Sequence, residues 1–294
     1  MSAPRWALLL APLALATAAR AQQPDLRVSV EMVSVDVSVI REGRAVPGLT
    51  AAQFEVKDEG ERREVELIAA GDAPLQVLLA LDASESVEGD RVKRLVSAAQ
   101  ALFPDLRPGD RTGLLTFSEE VRLLADVGSS PVAVRGMLSR VKTGGGTSLH
   151  DAIWSALKRS ETARGRMLVL LFTDGTDTSS WLSEDAVLAM ARQSDCVVHV
   201  VHTGRERAAS EPATDPFLSR LAAITGGRLW ETGEGQDVEL AVRRALAEMR
   251  SRYVLRFERP KDARPGWHRL EVKLKGPKAD LLARRGYFVA TTAP

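Results

Sequence analysis

Cysteine is nearly absent from this chain. Its 294 residues include one, Cys196, so no disulfide can form within the chain. Its position in the apolar run "DCVVHVV" reads as a buried, inert thiol and not a reactive one. Aromatic residues are also few, at 5%, so the cores must be built mainly from Val, Leu and Ala. An excess of charge of either sign is lacking too: 40 Lys and Arg face 39 Asp and Glu. That balance gives no electrostatic basis for binding nucleic acid or an anionic membrane. Beyond the first residues, no apolar run approaches the roughly 20 residues that a bilayer span requires. Repeats and low-complexity tracts are missing. So are a G-x-x-x-x-G-K-[ST] phosphate loop and a G-x-S-x-G nucleophile motif.

The opening "MSAPRWALLLAPLALATAARAQQPD" has one early cation, Arg5, an apolar stretch from Trp6 to about Ala19, and an A-x-A pattern at Ala19-Arg20-Ala21. This is the pattern of a secretory signal peptide cleaved after Ala21. The mature protein is therefore expected to be secreted or periplasmic, with no membrane span. An uncleaved anchor is the alternative. No cysteine stands at the cleavage site, so lipid attachment is not supported. Loss of the leader would remove Arg5 and Arg20 and leave 38 cationic residues against 39 acidic ones.

Three segments then separate by periodicity. Residues 22–72 read as strands. In "RVSVEMVSVDVSVI", Val28, Val30 and Met32 share one face, while Val33, Val35, Val37 and Val39 share the other. This change of parity implies a bulge or a strand that passes between sheets. "GLTAAQ" reads as a short helical turn. "QFEVKDEGERREVELI" alternates about Gly60 as a hairpin, with Phe54 and Val56 before the turn and Val65 and Leu67 after it.

Residues 73–252 change to apolar runs alternating with amphipathic helices. The runs are "LQVLLALD", "GLLTF", "MLVLLFTD", "CVVHVVHTG" and, weakly, "RLW". The first helix aligns Val92, Leu95, Val96, Ala99, Leu102 and Phe103. Further helices are predicted over Pro131–Val141, Leu149–Ser160, Ser183–Gln193, Pro216–Ile224 and Gln236–Arg252. This alternation predicts an α/β fold with a doubly wound, mostly parallel sheet. Residues 253–294 return to strands. Neither terminal β segment is large enough for a core of its own. They are expected to pair into one small β-sandwich, with the α/β domain inserted between them.

Ligands of open parallel sheets bind beyond the carboxyl ends of the strands. "QVLLALDASES" delivers Asp82, Ser84 and Ser86 to that edge, "KTGGGTSLHDAI" delivers Thr147, and "LLFTDGTD" delivers Asp174. Two carboxylates and three hydroxyls, with no His or Cys, suit Mg²⁺ and disfavour zinc. Mn²⁺ and Ca²⁺ remain alternatives. A plainer reading makes Ser84 and Ser86 helix caps and Asp174 a turn residue.

On these residues the chain resembles the von Willebrand factor type A domain family over roughly residues 75–252. That family's metal-ion-dependent adhesion site combines D-x-S-x-S with a Thr and an Asp from two further loops. The resemblance implies a Rossmann-like domain whose hydroxyls and aspartates, directly or through water, hold a divalent ion with one open position for a Glu or Asp of a protein ligand. The β-rich lead-in and the closing "RRGYFV" resemble a secreted bacterial group within the family. Glu85 stands where Gly is frequent and adds a carboxylate beside the site, and Val87 stands where Met is common.

Other patterns are weaker. Ser155-x-x-Lys158 and Lys142-Thr143-Gly144 match β-lactamase motifs, but in reversed order, without S-D-N, and with Ser155 inside a helix. His199 and His202, three apart on a strand, lie on opposite faces and cannot share a metal. His150 lines the site, or serves as a cap or surface residue. Trp154 and Trp181 flank the motif loops, as packing residues or as partner contacts. The expected function is non-enzymatic, cation-dependent capture of an acidic side chain of a protein partner. Two alternatives are an envelope scaffold with a vestigial or structural metal site, and metal-assisted hydrolysis with Glu85 as base.

Overall fold

The computed structural model describes residues 31–68, 73–163, 165–175, 177–203, 215–232, 238–276 and 278–291. Every one of these belongs to a single unit, Glu31–Pro294. The leader expectation and the face assigned to Val28 and Val30 lie outside the described residues, as does the expected helix start at Gln236.

The centre of the molecule is a six-stranded sheet. Its spatial order is Leu229–Thr232, Val197–Thr203, Arg166–Thr173, Leu75–Asp82, Arg111–Phe117, Val121–Ser129. The first five run parallel, and the last pairs antiparallel with Arg111–Phe117. Both faces are covered, as the continuous apolar runs require. Leu75, Val77, Leu79 and Leu81 face the helices Asp90–Gln100, Pro131–Leu138 and Val238–Ser251. Leu78 and Ala80 face the helices Leu149–Arg159, Glu184–Gln193 and Pro216–Thr225. Each Leu or Val side chain so buried contributes about 1.5–3 kcal/mol.

The central strand Leu75–Asp82 comes first in this sequence of strands. Its successor, Arg111–Phe117, lies on one side, and Arg166–Thr173 lies on the other. The strand order therefore reverses at Asp82, and a crevice opens at the carboxyl ends of the two diverging strands. The edge strand Val121–Ser129 was not expected from sequence. Of its residues only Ala125 is buried, and an edge strand wet on most of its length shows no apolar run.

The remaining strands form two antiparallel sheets. Met32–Arg41 pairs with Tyr253–Glu258 through residues 32–37, and with Asp280–Leu282 through residues 38–40. Phe54–Asp58 pairs with Gly266–Leu274, which pairs in turn with Gly286–Val289. Val33, Val35, Val37, Val39, Phe54, Val56, Leu255, Phe257, Leu270 and Tyr287 share one apolar cluster drawn from both sheets. The hairpin closes through Glu59 and Gly60, with φ of 51° and 87°, as a two-residue primed turn demands. Its return arm is only Glu61–Arg63. The chain then crosses to the other sheet, where Leu67 pairs with Leu255. Val65 and Leu67 thus do not continue the hairpin as their alternation implied.

Candidate functional site

Asp82 has the strand parity of Leu78 and Ala80, so its carboxylate leaves the sheet on the face covered by the helix that starts at Leu149. Thr173 follows Phe172, which pairs with Leu81. One step further along the register brings Thr173 beside Asp82. Asp82 is 0% exposed. Its Oδ1 accepts from the Ser84 amide at 3.0 Å and from Ser84 Oγ at 2.6 Å, and its Oδ2 accepts from Thr173 Oγ1 at 3.0 Å. Ser84 Oγ also lies 2.9 Å from Ser86 Oγ. The D-x-S-x-S oxygens therefore form one connected set. The capping alternative does not describe them, because neither serine caps a helix through its side chain: the helix Asp90–Gln100 is preceded by Gly89, with φ 76°.

Two backbone hydrogen bonds bring the glycine loop to this set. The Gly144 amide donates to the Ala83 carbonyl at 3.0 Å, and the Glu85 amide donates to the Gly145 carbonyl at 3.0 Å. Thr147, 4% exposed, is locked to the third loop. Its amide donates to Thr178 Oγ1 at 2.8 Å, while its carbonyl accepts from the Thr178 and Ser179 amides at 2.9 and 3.1 Å. The absence of a Cβ at Gly146 permits this approach, since a side chain there would overlap Ser179 Oγ. Asp174 ends its strand 5% exposed, and its carbonyl lies 2.9 Å from His202 Nε2.

Burial pushes the Asp82 carboxyl up to about 6. Hydrogen bonds from Ser84 oppose the shift, the neighbouring Asp174 charge adds to it, and Thr173 opposes it. Among the described residues no Lys, Arg or His pairs with Asp82. Two buried carboxylates flanked by hydroxyl oxygens are a donor set that a hard divalent cation fits. Among the described residues no group of three His, Cys, Asp or Glu side chains forms a metal cluster, so hydroxyls, backbone carbonyls and water would supply the rest of any coordination sphere.

The structure brings together the loops bearing Asp82, Ser84, Ser86, Thr147 and Asp174. Sequence reasoning missed Thr173 and the loop Asp177–Ser180; strand register would have found Thr173. His150 does not project freely into the site: its Nδ1 lies 3.1 Å from the Leu182 carbonyl, and its ring meets Phe217 edge-on at 4.8 Å. Trp181 is 96% exposed. Its backbone is nonetheless fixed, because the Trp181 and Leu182 amides both donate to the Asp151 carboxylate at 3.0 Å. His199 and His202 do serve different surroundings. Cys196 is buried, its thiol pushed up to about 11 by desolvation.

Comparison with known proteins agrees with this fold. Residues 77–176 match the model of the von Willebrand factor type A domain family. The bovine inter-alpha-trypsin inhibitor heavy chain H4 is 24% identical over 205 residues, 65% of this chain and 22% of that protein. The human heavy chain H2 is 22% identical over 158 residues, 46% of this chain and 17% of that protein. The chain thus spans about a fifth of the length of these curated relatives. Among solved structures, the proximal thread matrix protein 1 of the mussel byssus, with a zinc-occupied MIDAS motif, aligns with a TM-score of 0.52 and 15% identity, over 67% of this chain and 50% of that one. Residues 77–176 are thus a match to the von Willebrand factor type A domain, and the doubly wound α/β part that continues from them has that domain's fold.

Proposed function

We infer that the protein is a divalent-cation-dependent binding module in which Asp82, Ser84, Ser86, Thr147 and Asp174 hold Mg²⁺, with Mn²⁺ or Ca²⁺ as substitutes. The observation that carries this reading is the Asp82 carboxylate, 0% exposed, surrounded by hydroxyls and lacking a cationic side chain among the described residues. A cation at this crevice supplies positive charge to an Asp or Glu of a protein partner. The residues of this chain do the rest. Ser84 and Thr173 orient Asp82, the glycine loop seats Thr147, and Asp151 holds Trp181 where an incoming surface can bury it. A rigidly mounted, exposed indole is the kind of group that becomes a binding hot spot. The zinc-occupied MIDAS motif of the mussel protein supports a divalent cation at such a site, without selecting Mg²⁺.

The module acts by recognition and not by turnover. We propose that residues 1–21 act as an export signal, which places the partner in the envelope or the medium. The test measures thermal stability with Mg²⁺ and with chelator, and pairs this with capture of partners from an envelope fraction under both conditions. Wild type should gain stability and retain partners only with the cation, and Asp82→Ala should do neither. Cation-induced stabilisation that survives Asp82→Ala would refute the site. Partner capture indifferent to chelator would favour a scaffold with a structural metal.

A further inference from the structure

A different site lies at the opposite edge of the central sheet. Arg228 immediately precedes the strand Leu229–Thr232, so it stands at the amino edge, whereas Asp82 and Asp174 stand at the carboxyl edge. A cavity of about 490 Å³ opens there, within the range of about 300–1,000 Å³ common for small-ligand sites. Its walls come from three parts of the chain that sequence does not connect. They are the turn carrying Arg44, the start of the edge strand with Arg228 and Trp230, and the face of the last helix that bears Arg244.

This wall is cationic and short of acceptors. Among the described residues, none of the guanidinium groups of Arg44, Arg228 and Arg244 forms an ion pair. The Arg228 guanidinium lies 5.5 Å from the centroid of the Trp230 ring, a cation–π arrangement that leaves its edge free to hydrogen-bond. Arg228 Nε and Trp230 Nε1 are both buried, and among the described residues neither has an acceptor. Both atoms are closed to solvent, so the groups of this wall that can meet a ligand are the terminal guanidinium nitrogens of Arg44, Arg228 and Arg244. Of the carboxylates bordering the cavity, Glu248 is engaged elsewhere. Its Oε1 accepts from Arg252 Nε at 2.9 Å, and its Oε2 lies 2.6 Å from His199 Nε2. Glu42 is exposed and is the one carboxylate left to oppose three cations.

We propose that this cavity binds a small oxyanion, a phosphate or carboxylate group carried on an aromatic or apolar body. The terminal guanidinium nitrogens of Arg228 and Arg244 receive the anionic oxygens, Arg44 adds charge from the turn, and the Trp230 ring and Ile40 receive the body. Guanidinium groups suit both anions because their parallel N–H pairs match the spacing of two oxygens. The site owes nothing to the metal crevice, so its success or failure leaves the cation-dependent reading untouched.

The test is calorimetric titration of the full chain with phenyl phosphate, benzoate and inorganic phosphate, in chelator, with tryptophan fluorescence as a second readout. Saturable binding of at least one aromatic anion is expected, tighter than that of inorganic phosphate, and the two aromatic probes decide between phosphate and carboxylate. Arg244→Gln, on an exposed helix face, and Arg44→Gln should each weaken binding several-fold, and together at least tenfold. Trp230→Phe should abolish the fluorescence change, and Asp82→Ala should leave binding as it was. The proposal is overturned if no probe saturates wild type, or if the Arg44→Gln/Arg244→Gln pair, with unchanged melting temperature, binds as wild type does. It is also overturned if Asp82→Ala removes the binding.

Discussion

Thr173 Oγ1 donates to Asp82 Oδ2 at 3.0 Å and accepts from the Gly175 amide at the same distance. The hydroxyl thus ties together the ends of the two strands that diverge at the switch point, and it fixes one oxygen of the buried carboxylate. Thr173→Val keeps the shape and removes the donor. Groups that orient a metal ligand typically contribute 10–100-fold in metal affinity. Mg²⁺ titration of this variant should therefore show affinity lower by roughly that factor, with Thr147 and its loop undisturbed. An unchanged affinity would mean that Asp82 needs no such support.

Removing the ligands themselves should separate binding from folding. At a free cation concentration 100 times its Kd, a site binding only the folded chain adds about 2.7 kcal/mol of stability. Wild type should show a gain of that order in denaturant melts, and Asp82→Ala and Ser84→Ala should show none. In chelator, Asp82→Ala should unfold no earlier than wild type, because burial disfavours the ionised carboxylate that it replaces.

Much of this arrangement was legible before any coordinates, for a physical reason. A strand buried on both faces writes itself as a continuous apolar run, and ligands at its carboxyl end must follow that run directly. Asp82 and Asp174 do so. The parts that were not legible depend on neighbours distant in sequence. Val121–Ser129 buries only Ala125 and carries Arg122 and Asp126, so its strand character comes from pairing and not from pattern. The crossing of Glu66–Ile68 to the second antiparallel sheet is decided by Leu255 opposite Leu67, and no local residue announces it. Thr173 becomes a site residue only through its register with Asp82. Arg44, Arg228 and Arg244 meet only because the terminal β segments pack against the α/β sheet.

Trp181 offers a test of the partner-facing surface that is independent of the cation. At 96% exposure the indole contributes almost nothing to the fold, while Asp151 holds the backbone beneath it. Trp181→Ala should leave the melting temperature and Mg²⁺ affinity unchanged, yet weaken partner binding by at least tenfold, as loss of a hot-spot aromatic does. Surface plasmon resonance with a captured partner measures it. Equal affinity for both proteins would place the contact elsewhere on the rim.

The buried Glu248 sets the acid limit of the fold. It is 7% exposed and joins the last helix to the sheet. His199 Nδ1 accepts from the Arg228 amide at 3.0 Å, and its Nε2 lies 2.6 Å from Glu248 Oε2. Burial opposes ionisation of Glu248, but Arg252 and His199 beside it outweigh that and hold its carboxyl at about 2, below the ordinary 4.5. A carboxylate with a lowered folded-state pKa contributes stability above its unfolded value, and that contribution is lost as pH falls through the folded one. The shift corresponds to something on the order of 3 kcal/mol. Glu248→Gln should therefore be less stable than wild type by about that amount at pH 7, with the gap unchanged down to about pH 4.5 and closing between there and pH 2. Urea melts across that range measure it. A gap that stayed constant to pH 2 would show that packing, and not the charge on Glu248, holds the last helix to the sheet.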